Sequence, residues 1–320
     1  MLRMLTLGFA LVCASLPQAR AQDYPSRPIV IIVGLAPGGV SDIMTRLYAN
    51  VVSKKIGQTI LIENRPQGSG VVAATALQTA APDGYTLLVF PIAQHATMPV
   101  LEKNVSYDPV KGNQPITPLF SIATLVVVPA DSPINSLSEL VELAKKKPGG
   151  LSFGAPGLGT PAHLSGAKLM DAIKAPVQFI QYRGAVPMLN DLLPGRLDAA
   201  VLSSLTAKPF LLEKKIKAIV SDANEKWPAV PEIPLLRDVG LRDASLPSWF
   251  GLAAPPGTAP AIINKLNEAF VAASKDPDLR QRIEENGLTV VTSTPQEMEA
   301  MMVKDNAGIA HLVKALDLQK

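Results

Sequence analysis

The chain has 320 residues, of which 48% are hydrophobic and 5% aromatic, and it carries a formal net charge of +3. This composition excludes a disordered protein, and the length is sufficient for two α/β domains. The basic residues are scattered apart from a lysine run at 145–147, so the concentrated positive patch of a nucleic-acid-binding protein is missing.

The first 21 residues have the pattern of a secretory signal peptide. A basic start at Arg3 precedes a short apolar run, and Ala19-Arg20-Ala21 supplies a small-x-small cleavage site. The apolar run is shorter than the ~20 residues that span a bilayer, so we expect export with cleavage after Ala21 instead of a membrane anchor. Cleavage removes Cys13, the only cysteine, and with it any disulfide or cysteine metal site.

Short apolar runs bounded by turn residues alternate with helical patterns along the rest of the chain. The predicted strands lie at 29–33, 59–63, 85–90, 125–128, 198–202, 217–220 and 250–254. This alternation predicts parallel sheets covered by helices.

Helix starts are marked by capping residues. Ser136 and Glu139 form a capping box, and the segment 294–297 opens the last helix with a capping threonine followed by proline. The first helix is indicated by four apolar residues at helical spacing, which are Ile43, Met44, Leu47 and Val51.

Two segments, 33–42 and 153–163, share one design in which an apolar strand, a Gly/Pro turn and a helix start follow one another. Glycines let the backbone approach a ligand closely, and the first turn of a helix offers N–H groups and a positive dipole end. Neither segment has the G-x-G-x-x-G or Gly-Lys-Ser/Thr motif of nucleotide sites. The segments therefore predict two cradles for a small anion, although tight strand-to-helix turns without a ligand have the same pattern.

Two extended stretches, 123–129 and 248–251, are candidate crossings between domains. With one cradle in each half, they predict a first domain formed by 22–122 plus 249–320 and a second domain formed by 123–248.

Polar residues near the cradles have several possible roles. We expect Asp42 to cap the first helix, with Ser41 as the competing capping residue. His163 either donates to a ligand oxygen or packs against its own loop. Among Arg65, Arg183 and Arg196, the sequence favours Arg183 as a carboxylate clamp.

Enzyme motifs are weak. The segment 150–154 fits the G-x-S-x-G elbow, but Ser152 lies inside a predicted strand instead of at a strand-to-helix turn. His95, His163 and His311 show no metal-ligand spacing. No catalytic residue, cofactor or metal site is predicted, and the sequence favours binding over catalysis.

Several short motifs follow one another in a fixed order over essentially the whole mature chain. They are 24–29 (YPSRPI), 37–39 (PGG) with Asp42, 63–66 (ENRP) with Gly68 and Gly70, 81–88 (APDGYTLL), 107–109 (YDP), Gly159-Thr160 with His163, 182–184 (YRG), 191–193 (DLL) with Gly195, and 248–252 (SWFGL). This order resembles the tripartite tricarboxylate transporter receptors, also called the Bug family of periplasmic solute-binding proteins.

The resemblance implies an α/β, two-domain type II periplasmic-binding-protein fold. Each domain would be a mostly parallel sheet flanked by helices, with a hinged cleft between the two. The protein would be a periplasmic receptor, monomeric and not inserted in the membrane. It would close on a small organic acid and deliver it to inner-membrane transporter subunits. A sensor for a signalling partner and an enzyme on the same scaffold are the alternatives.

The ligand-binding residues implied by the resemblance lie in loops at the cleft. They are Leu35, Ala36, Pro37, Gly38, Gly39, Asp42, Gly68, Ser69, Gly70, Ala93, Gln94, His95, Gly159, Thr160, His163, Tyr182, Ser203 and Ser204.

This chain departs from the family pattern in its pocket. The segment 91–96 replaces a Gly/Ser/Thr run, Lys168 follows where an acid is common, and Ser203 and Ser204 stand where an aspartate can face the ligand. Loss of that acid removes a partner for an ammonium group, so we expect plain organic acids to bind better than amino acids. Leu35, Ile92 and His95 are expected to offer apolar surface to an aromatic acid.

Overall fold

The computed structural model describes residues 24–101, 105, 107–157, 160–223, 225–227, 229–244, 246 and 248–315, without the side chains of residues 69, 93, 94 and 101. The predicted signal peptide and Gly159 lie outside the described residues. Within the described ranges, none of the helices has the length and hydropathy needed to cross a bilayer.

The first part of the chain alternates strands and helices. Its elements are β1 (Ile29–Val33), α1 (Val40–Ile56), β2 (Ile60–Asn64), a 3₁₀ turn (Gln67–Gly70), α2 (Val71–Gln78), β3 (Thr86–Pro91), α3 (Ile92–Leu101) and β4 (Gln114–Ile122).

The middle part repeats the alternation. Its elements are β5 (Thr124–Pro129), α4 (Leu137–Lys146), β6 (Leu151–Ala155), α5 (Pro161–Ala172), β7 (Val177–Gln181), α6 (Ala185–Leu192), β8 (Ala199–Ser203), α7 (Ser204–Leu212) and β9 (Ile216–Ser221).

The last part begins with two 3₁₀ turns and is mainly helical. Its elements are the turns Leu236–Val239 and Arg242–Ala244, then β10 (Trp249–Ala254), α8 (Pro260–Ala273), α9 (Pro277–Glu285), β11 (Leu288–Val290) and α10 (Pro295–Ala315).

These elements build two sheets, each flanked by helices, as the two-domain α/β prediction requires. The first lobe, as we call the six-stranded sheet with its helices, has strand order β11-β4-β10-β3-β1-β2. The second lobe contains the five-stranded sheet β7-β6-β8-β5-β9. The sequence boundaries at 122/123 and 248/249 stay a prediction.

Most strands of each sheet run in one direction, as expected, but both sheets also contain antiparallel pairs. In the first sheet β2, β1 and β3 are parallel, whereas β10 runs antiparallel to both β3 and β4. In the second sheet β7, β6 and β8 are parallel, whereas β5 is antiparallel to β8 and β9. The exceptions are β5, β10 and β11, of which β5 and β10 are the first strands after the chain passes from one sheet to the other.

Each sheet is buried on both faces because successive side chains of a strand point to opposite sides. In the first sheet, Ile31 packs into a core with α1 and α8, whereas Ile32 packs into a second core with α2 and α10. In the second sheet, Val126 and Val127 divide between two cores in the same way. Near-continuous apolar strands are the sequence signature of this arrangement.

All seven predicted strands are present within one residue at each end. Strand β6 corresponds to the apolar strand predicted before the second Gly/Pro turn, whereas β4, β7 and β11 were missed. In β4, Pro115 and Pro118 lack the N–H that a ladder needs, and the structure places them at the register shifts between β4 and β10. The buried face of α1 is displaced by one residue from the predicted apolar face. Ile43 is 45% exposed, whereas Met44 and Tyr48 are buried.

Candidate functional site

The strand registers place both Gly/Pro turns on edges that face each other. At the carboxyl end of β3, Pro91 pairs with Phe250, beside the start of β10, where the chain returns from the second lobe. At the carboxyl end of β8, Ser203 pairs with Thr124, where the chain enters the second lobe. The carboxyl ends of the parallel strands in both sheets therefore point toward the crossings.

Six helices begin at these two edges, because each of the six parallel strands leads directly into a helix. The helices are α1, α2 and α3 in the first lobe and α5, α6 and α7 in the second lobe. The first turn of a helix leaves N–H groups without a partner inside the helix and carries the positive end of its dipole. The region between the edges is therefore suited to an anion.

In the first lobe, the loop between β1 and α1 turns at Gly38, whose φ of +75° is a conformation that glycine adopts without strain. The N-cap of α1 is Gly39, so the prediction that Asp42 or Ser41 occupies the cap is wrong. Asp42 instead lies in the first turn, where its carboxylate accepts from the Gly38 N–H at 2.9 Å and pairs with Arg46. The Asp42 side chain, which lies in the first turn of the helix, thus closes the loop by binding the preceding Gly38 N–H.

Asp42 is charged but not available to a ligand. Although its burial alone would raise its pKa, the hydrogen bonds from Arg46 and Gly38 hold the pKa below its usual value. The hydroxyl of Ser41 is buried and has no hydrogen-bond partner in the described part of the chain.

A recess of about 20 Å³ lies beside this loop, which is room for about one water molecule. Its lining is apolar and aromatic, and consists of Gly34, Gly70, Ala74, Leu88, Phe90, Pro91, His95 and Tyr107. Gly34 and Tyr107 were not among the predicted site residues. A sequence signal could have identified both residues, because Gly34 directly follows β1 and Tyr107 opens the motif at 107–109.

His95 belongs to the wall of this recess and is only 5% exposed. Its ring lies between Phe90 and Tyr107, with centroids at 4.5 and 4.9 Å. Its Nε2 lies 2.8 Å from the side-chain amide of Asn113 and 3.1 Å from the Pro109 carbonyl. Burial lowers the pKa of His95 to about 4, so the ring is neutral near pH 7.

The surface expected for an aromatic ligand is therefore smaller than predicted. Ile92 is fully buried and His95 nearly so, which leaves Leu35 as the one partly exposed side chain of the three. Ala36, Pro37, Gly38 and Gly39 are exposed beside it. The side chains of Ser69, Ala93 and Gln94 lie outside what the structure describes.

In the second lobe, Thr160 is the N-cap of α5. Its hydroxyl donates to the Gly157 carbonyl at 2.8 Å and accepts from the His163 N–H at 3.3 Å. His163 is 4% exposed and packs edge-on against Phe179 at 5.3 Å. This geometry favours a packing role for His163, against β7 instead of its own loop.

Replacing Thr160 by valine should weaken carboxylate binding about fivefold, because valine keeps the shape of threonine but loses the hydroxyl that holds the loop on the helix. Thr160→Ser keeps the hydroxyl and should bind within twofold of the wild type. Isothermal titration of both variants with the same carboxylate provides the measurement. Equal affinities of the two variants would show that the cap does not shape the site.

The hydroxyl of Tyr182 is also hydrogen-bonded within the protein. It donates to Asp191 at 2.8 Å, and Asp191 pairs with Arg196 at 2.9 Å. Arg65 is paired with Glu63 at 2.8 Å. Of the three arginines proposed as clamps, Arg183 is the one outside these ion pairs, and it is exposed directly before α6.

Ser203 and Ser204 stand at the start of α7 and serve different purposes. The Ser203 hydroxyl caps the helix by accepting from the Thr206 N–H at 3.3 Å. The Ser204 hydroxyl donates to the carbonyl of Gly287 at 2.5 Å. Both hydroxyls are therefore bound by the protein itself.

Ser152 of the G-x-S-x-G segment lies inside β6, as the sequence indicated. Its hydroxyl donates to Asp198 at 2.7 Å and accepts from the Asp198 N–H at 3.1 Å. The Asp198 carboxylate also accepts from the Ser152 N–H and pairs with Lys147. The serine is thus part of a structural link between β6 and β8.

Asp198→Ala should lower the free energy of unfolding by about 2 kcal/mol, because Ser152 and Lys147 lose their acceptor in a half-buried position. Asp171→Ala, which removes an exposed pair with Lys174, is the matched control and should cost less than about 0.5 kcal/mol. Urea unfolding of both variants provides the comparison. A loss at Asp198 no larger than at Asp171 would contradict the structural role.

Among the described residues, no group of three His, Cys, Asp or Glu side chains is arranged to hold a metal ion. The two edges present backbone N–H groups and the positive ends of helix dipoles.

Comparison with known proteins agrees with this geometry. Residues 44–318 match the family described as the tripartite tricarboxylate transporter family receptor. A curated relative from Cupriavidus necator, the UPF0065 protein in the gbd 5′ region, is 36% identical over 279 residues, which is 86% of this chain and 83% of the relative.

Solved structures give the same result. A TctC solute-binding protein from Polaromonas has a TM-score of 0.83 at 26% identity, covering 91% of this chain and 99% of its own. MatC from Rhodopseudomonas palustris with bound malate has a TM-score of 0.69 at 30% identity and 91% and 100% coverage. A further R. palustris protein with adipate has a TM-score of 0.72 at 27% identity and 91% and 98% coverage.

Proposed function

Since the chain belongs to the tripartite tricarboxylate transporter receptor family, we propose that it captures a small carboxylate between its two lobes and delivers it to the membrane subunits of such a transporter. The family and the similar structures are solute-binding receptors and not enzymes. Receptors of this family work in the periplasm, which agrees with export after Ala21.

The observation that carries the proposal is the meeting of six helix N-termini at two facing edges. Each N-terminus presents N–H donors and a partial positive charge, and together they stabilise a carboxylate in either lobe. A dicarboxylate can use both edges at once, so its binding favours closure of the lobes.

The proposed ligands are plain organic acids and not amino acids. An ammonium group needs an available carboxylate, but Asp42 is bound to Gly38 and Arg46, and Asp191 is bound to Tyr182 and Arg196. Serines occupy positions 203 and 204, where an acid would otherwise face the ligand. Two of the similar structures were solved with malate and with adipate, which are dicarboxylates without an amine.

Aliphatic dicarboxylates rank ahead of aromatic acids in this proposal. Of the three side chains expected to accept an aromatic ring, only Leu35 has exposed surface. Aromatic acids therefore enter the screen as competitors of the aliphatic ones.

A thermal-shift screen tests the ligand class. Malate, adipate, benzoate, aspartate and the neutral diamide of adipic acid are compared at equal concentration. A ligand at about 100 times its dissociation constant stabilises the folded state by about 2.7 kcal/mol. We expect a shift with malate or adipate and none with the diamide. A shift with aspartate alone, or with the diamide as large as with adipate, would contradict the proposal.

Scattering tests closure, and the radius of gyration should fall when the ligand identified in the screen saturates the protein. Turnover of the bound compound would support the enzyme alternative instead.

We expect the exported protein to begin at or near Gln22, and N-terminal sequencing provides the measurement. Delivery is tested by uptake into vesicles that contain the membrane subunits, with and without the receptor.

A further inference from the structure

Ser204 lies where the two lobes meet. Its N–H donates to the carbonyl of Ala123 at 2.7 Å, and Ala123 is the residue between β4 of the first lobe and β5 of the second. Its hydroxyl donates to the carbonyl of Gly287 at 2.5 Å, in the turn between α9 and β11 of the first lobe. Ser204 is 2% exposed, so one buried residue of α7 is bonded to both the crossing and the opposite lobe.

A second hydrogen bond reaches the same turn. The indole N–H of Trp227, in the segment that leaves the second lobe, donates to the carbonyl of Glu284 at 3.3 Å. The ring of Trp227 also covers Gly287 closely, since a Cβ added to this glycine would lie 3.1 Å from the ring. One donor at the start of α7 and one in the segment after β9 therefore bind carbonyls at the end of α9 and in the turn that follows it in the first lobe.

A further contact between the lobes has a different character. Leu164 of α5 packs with Ala96 of α3 and with Ile309 and Val313 of α10 in an apolar cluster. Apolar contact is non-directional and tolerates sliding. A hydrogen bond weakens steeply when its angle or distance changes, so the bonds to the α9–β11 turn restrict the relative orientation of the lobes more strongly.

We propose that Ser204 is a positioning residue, which fixes the orientation of α7 against the first lobe through Gly287 and is supported in this by Trp227. Its importance for ligand capture rests on the proposed function, because α7 supplies one of the six N-termini that face the ligand. Ser204 acts on the ligand through lobe geometry, since both its N–H and its hydroxyl are bound within the protein.

The neighbouring serine provides a matched control. Ser203 caps α7 through its own hydroxyl, and the partners of that hydroxyl, the Thr206 N–H and side chain, lie on the same helix. Ser203→Ala therefore weakens the helix start without touching the first lobe. Ser204→Ala removes the bond between the lobes, Ser204→Thr retains a hydroxyl, and Trp227→Phe removes the second bond but keeps an aromatic ring.

The test measures the distance between the lobes in the ligand-free protein. Spin labels are placed at Ile43→Cys and Val186→Cys in a Cys13→Ser background, because both positions are exposed at the cleft edges of opposite lobes. Pulsed electron resonance then gives the distance distribution. We expect Ser204→Ala and Trp227→Phe to broaden it, and Ser204→Thr and Ser203→Ala to leave it at the wild-type width.

Ligand affinity is the second readout. Loss of one directional bond predicts about a fivefold rise in Kd for Ser204→Ala, whereas Ser204→Thr, which retains the hydroxyl, should bind within twofold of the wild type. An unchanged distance distribution in Ser204→Ala, or equal broadening in Ser203→Ala, overturns the proposal. If Ser204→Ala does not fold, an unchanged distribution in Trp227→Phe has the same consequence. A wild type that binds no carboxylate refutes the proposed function alone, because the distance measurement needs no ligand.

Discussion

Replacement of Gly34 by valine is expected to weaken carboxylate binding by about 100-fold, equivalent to about 2.8 kcal/mol. Gly34 follows β1 where the first loop passes the turn at 67–70. A Cβ added at Gly34 would lie 3.3 Å from the Gly70 Cα and 3.3 Å from the Ala73 Cβ. These neighbours are backbone and a short side chain, so they cannot rotate away. The larger valine must therefore separate the two loops whose N–H groups face the ligand.

The loss of carboxylate affinity should increase with the size of the side chain at position 34. Gly34→Ala requires a shift of only a few tenths of an ångström and should cost about tenfold in affinity, or about 1.4 kcal/mol. Gly57→Ala is the matched control, because Gly57 ends α1 with a φ of +68° and has open space around its Cβ position. It should lower stability by about 1 kcal/mol and leave affinity unchanged.

Isothermal titration on folded protein separates affinity from stability in this series. If Gly34→Val binds as tightly as Gly57→Ala, the close approach of the two loops has no part in recognition. Circular dichroism confirms that each variant is folded at the temperature of the titration.

Acidification from pH 7 to pH 4 is expected to remove about 3 kcal/mol of stability through His95 alone. Burial lowers its pKa from 6.5 to about 4. Between these values the unfolded chain binds a proton at this residue and the folded chain does not, so the free energy of unfolding falls with pH. Each unit of pKa difference contributes about 1.36 kcal/mol. The contribution is complete above pH 6.5 and is lost as pH approaches 4.

A second buried group acts in the opposite direction. Burial raises the pKa of Asp222 from 3.8 to about 6, so the folded state takes up a proton there before the unfolded state does. Its effect stabilises the folded state as pH falls below 6. The two effects partly cancel in the wild type, and a variant is needed to isolate His95.

Comparison of His95→Gln with the wild type isolates the histidine, because Asp222 contributes equally to both. Urea unfolding at pH 7 and at pH 4.5 should show a smaller loss of stability in His95→Gln than in the wild type. His311→Gln, which replaces an exposed histidine on α10, should follow the wild type. Parallel losses in His95→Gln and the wild type would contradict the assignment of the effect to His95.

Local sequence patterns were sufficient for much of the fold. The capping hydroxyl of Ser136 accepts from the Glu139 N–H, and Thr294 and Glu297 bond to each other in both directions. All these partners are three residues apart. The reach of such contacts is short, so the chain specifies them before it is folded.

Short-range patterns also explain why the two loops at the cleft could be predicted from the sequence. A strand, a Gly/Pro turn and a helix start are neighbours in the chain, and the structure has them at 33–42 and, in its described residues, at 153–157 and 160–163. That the loops share facing edges follows from strand direction, because parallel strands end at one side of a sheet. The antiparallel direction of β5 and β10 was not predicted, since it depends on how the chain enters a second sheet.

The sequence by itself determined the alternation of strands and helices and the glycine-rich loops at helix starts, because these features arise from residues a few positions apart. The receptor family was indicated by the order of short motifs along the whole chain. Only the tertiary structure decided that His95 is bound to Asn113 in a buried wall, and that Ser204 is bonded to Gly287 in the opposite lobe. Those partners are 18 and 83 residues apart. A hydroxyl or an imidazole has the same bonding capacity toward a ligand and toward a distant carbonyl or amide, and only the packing of the chain selects the partner.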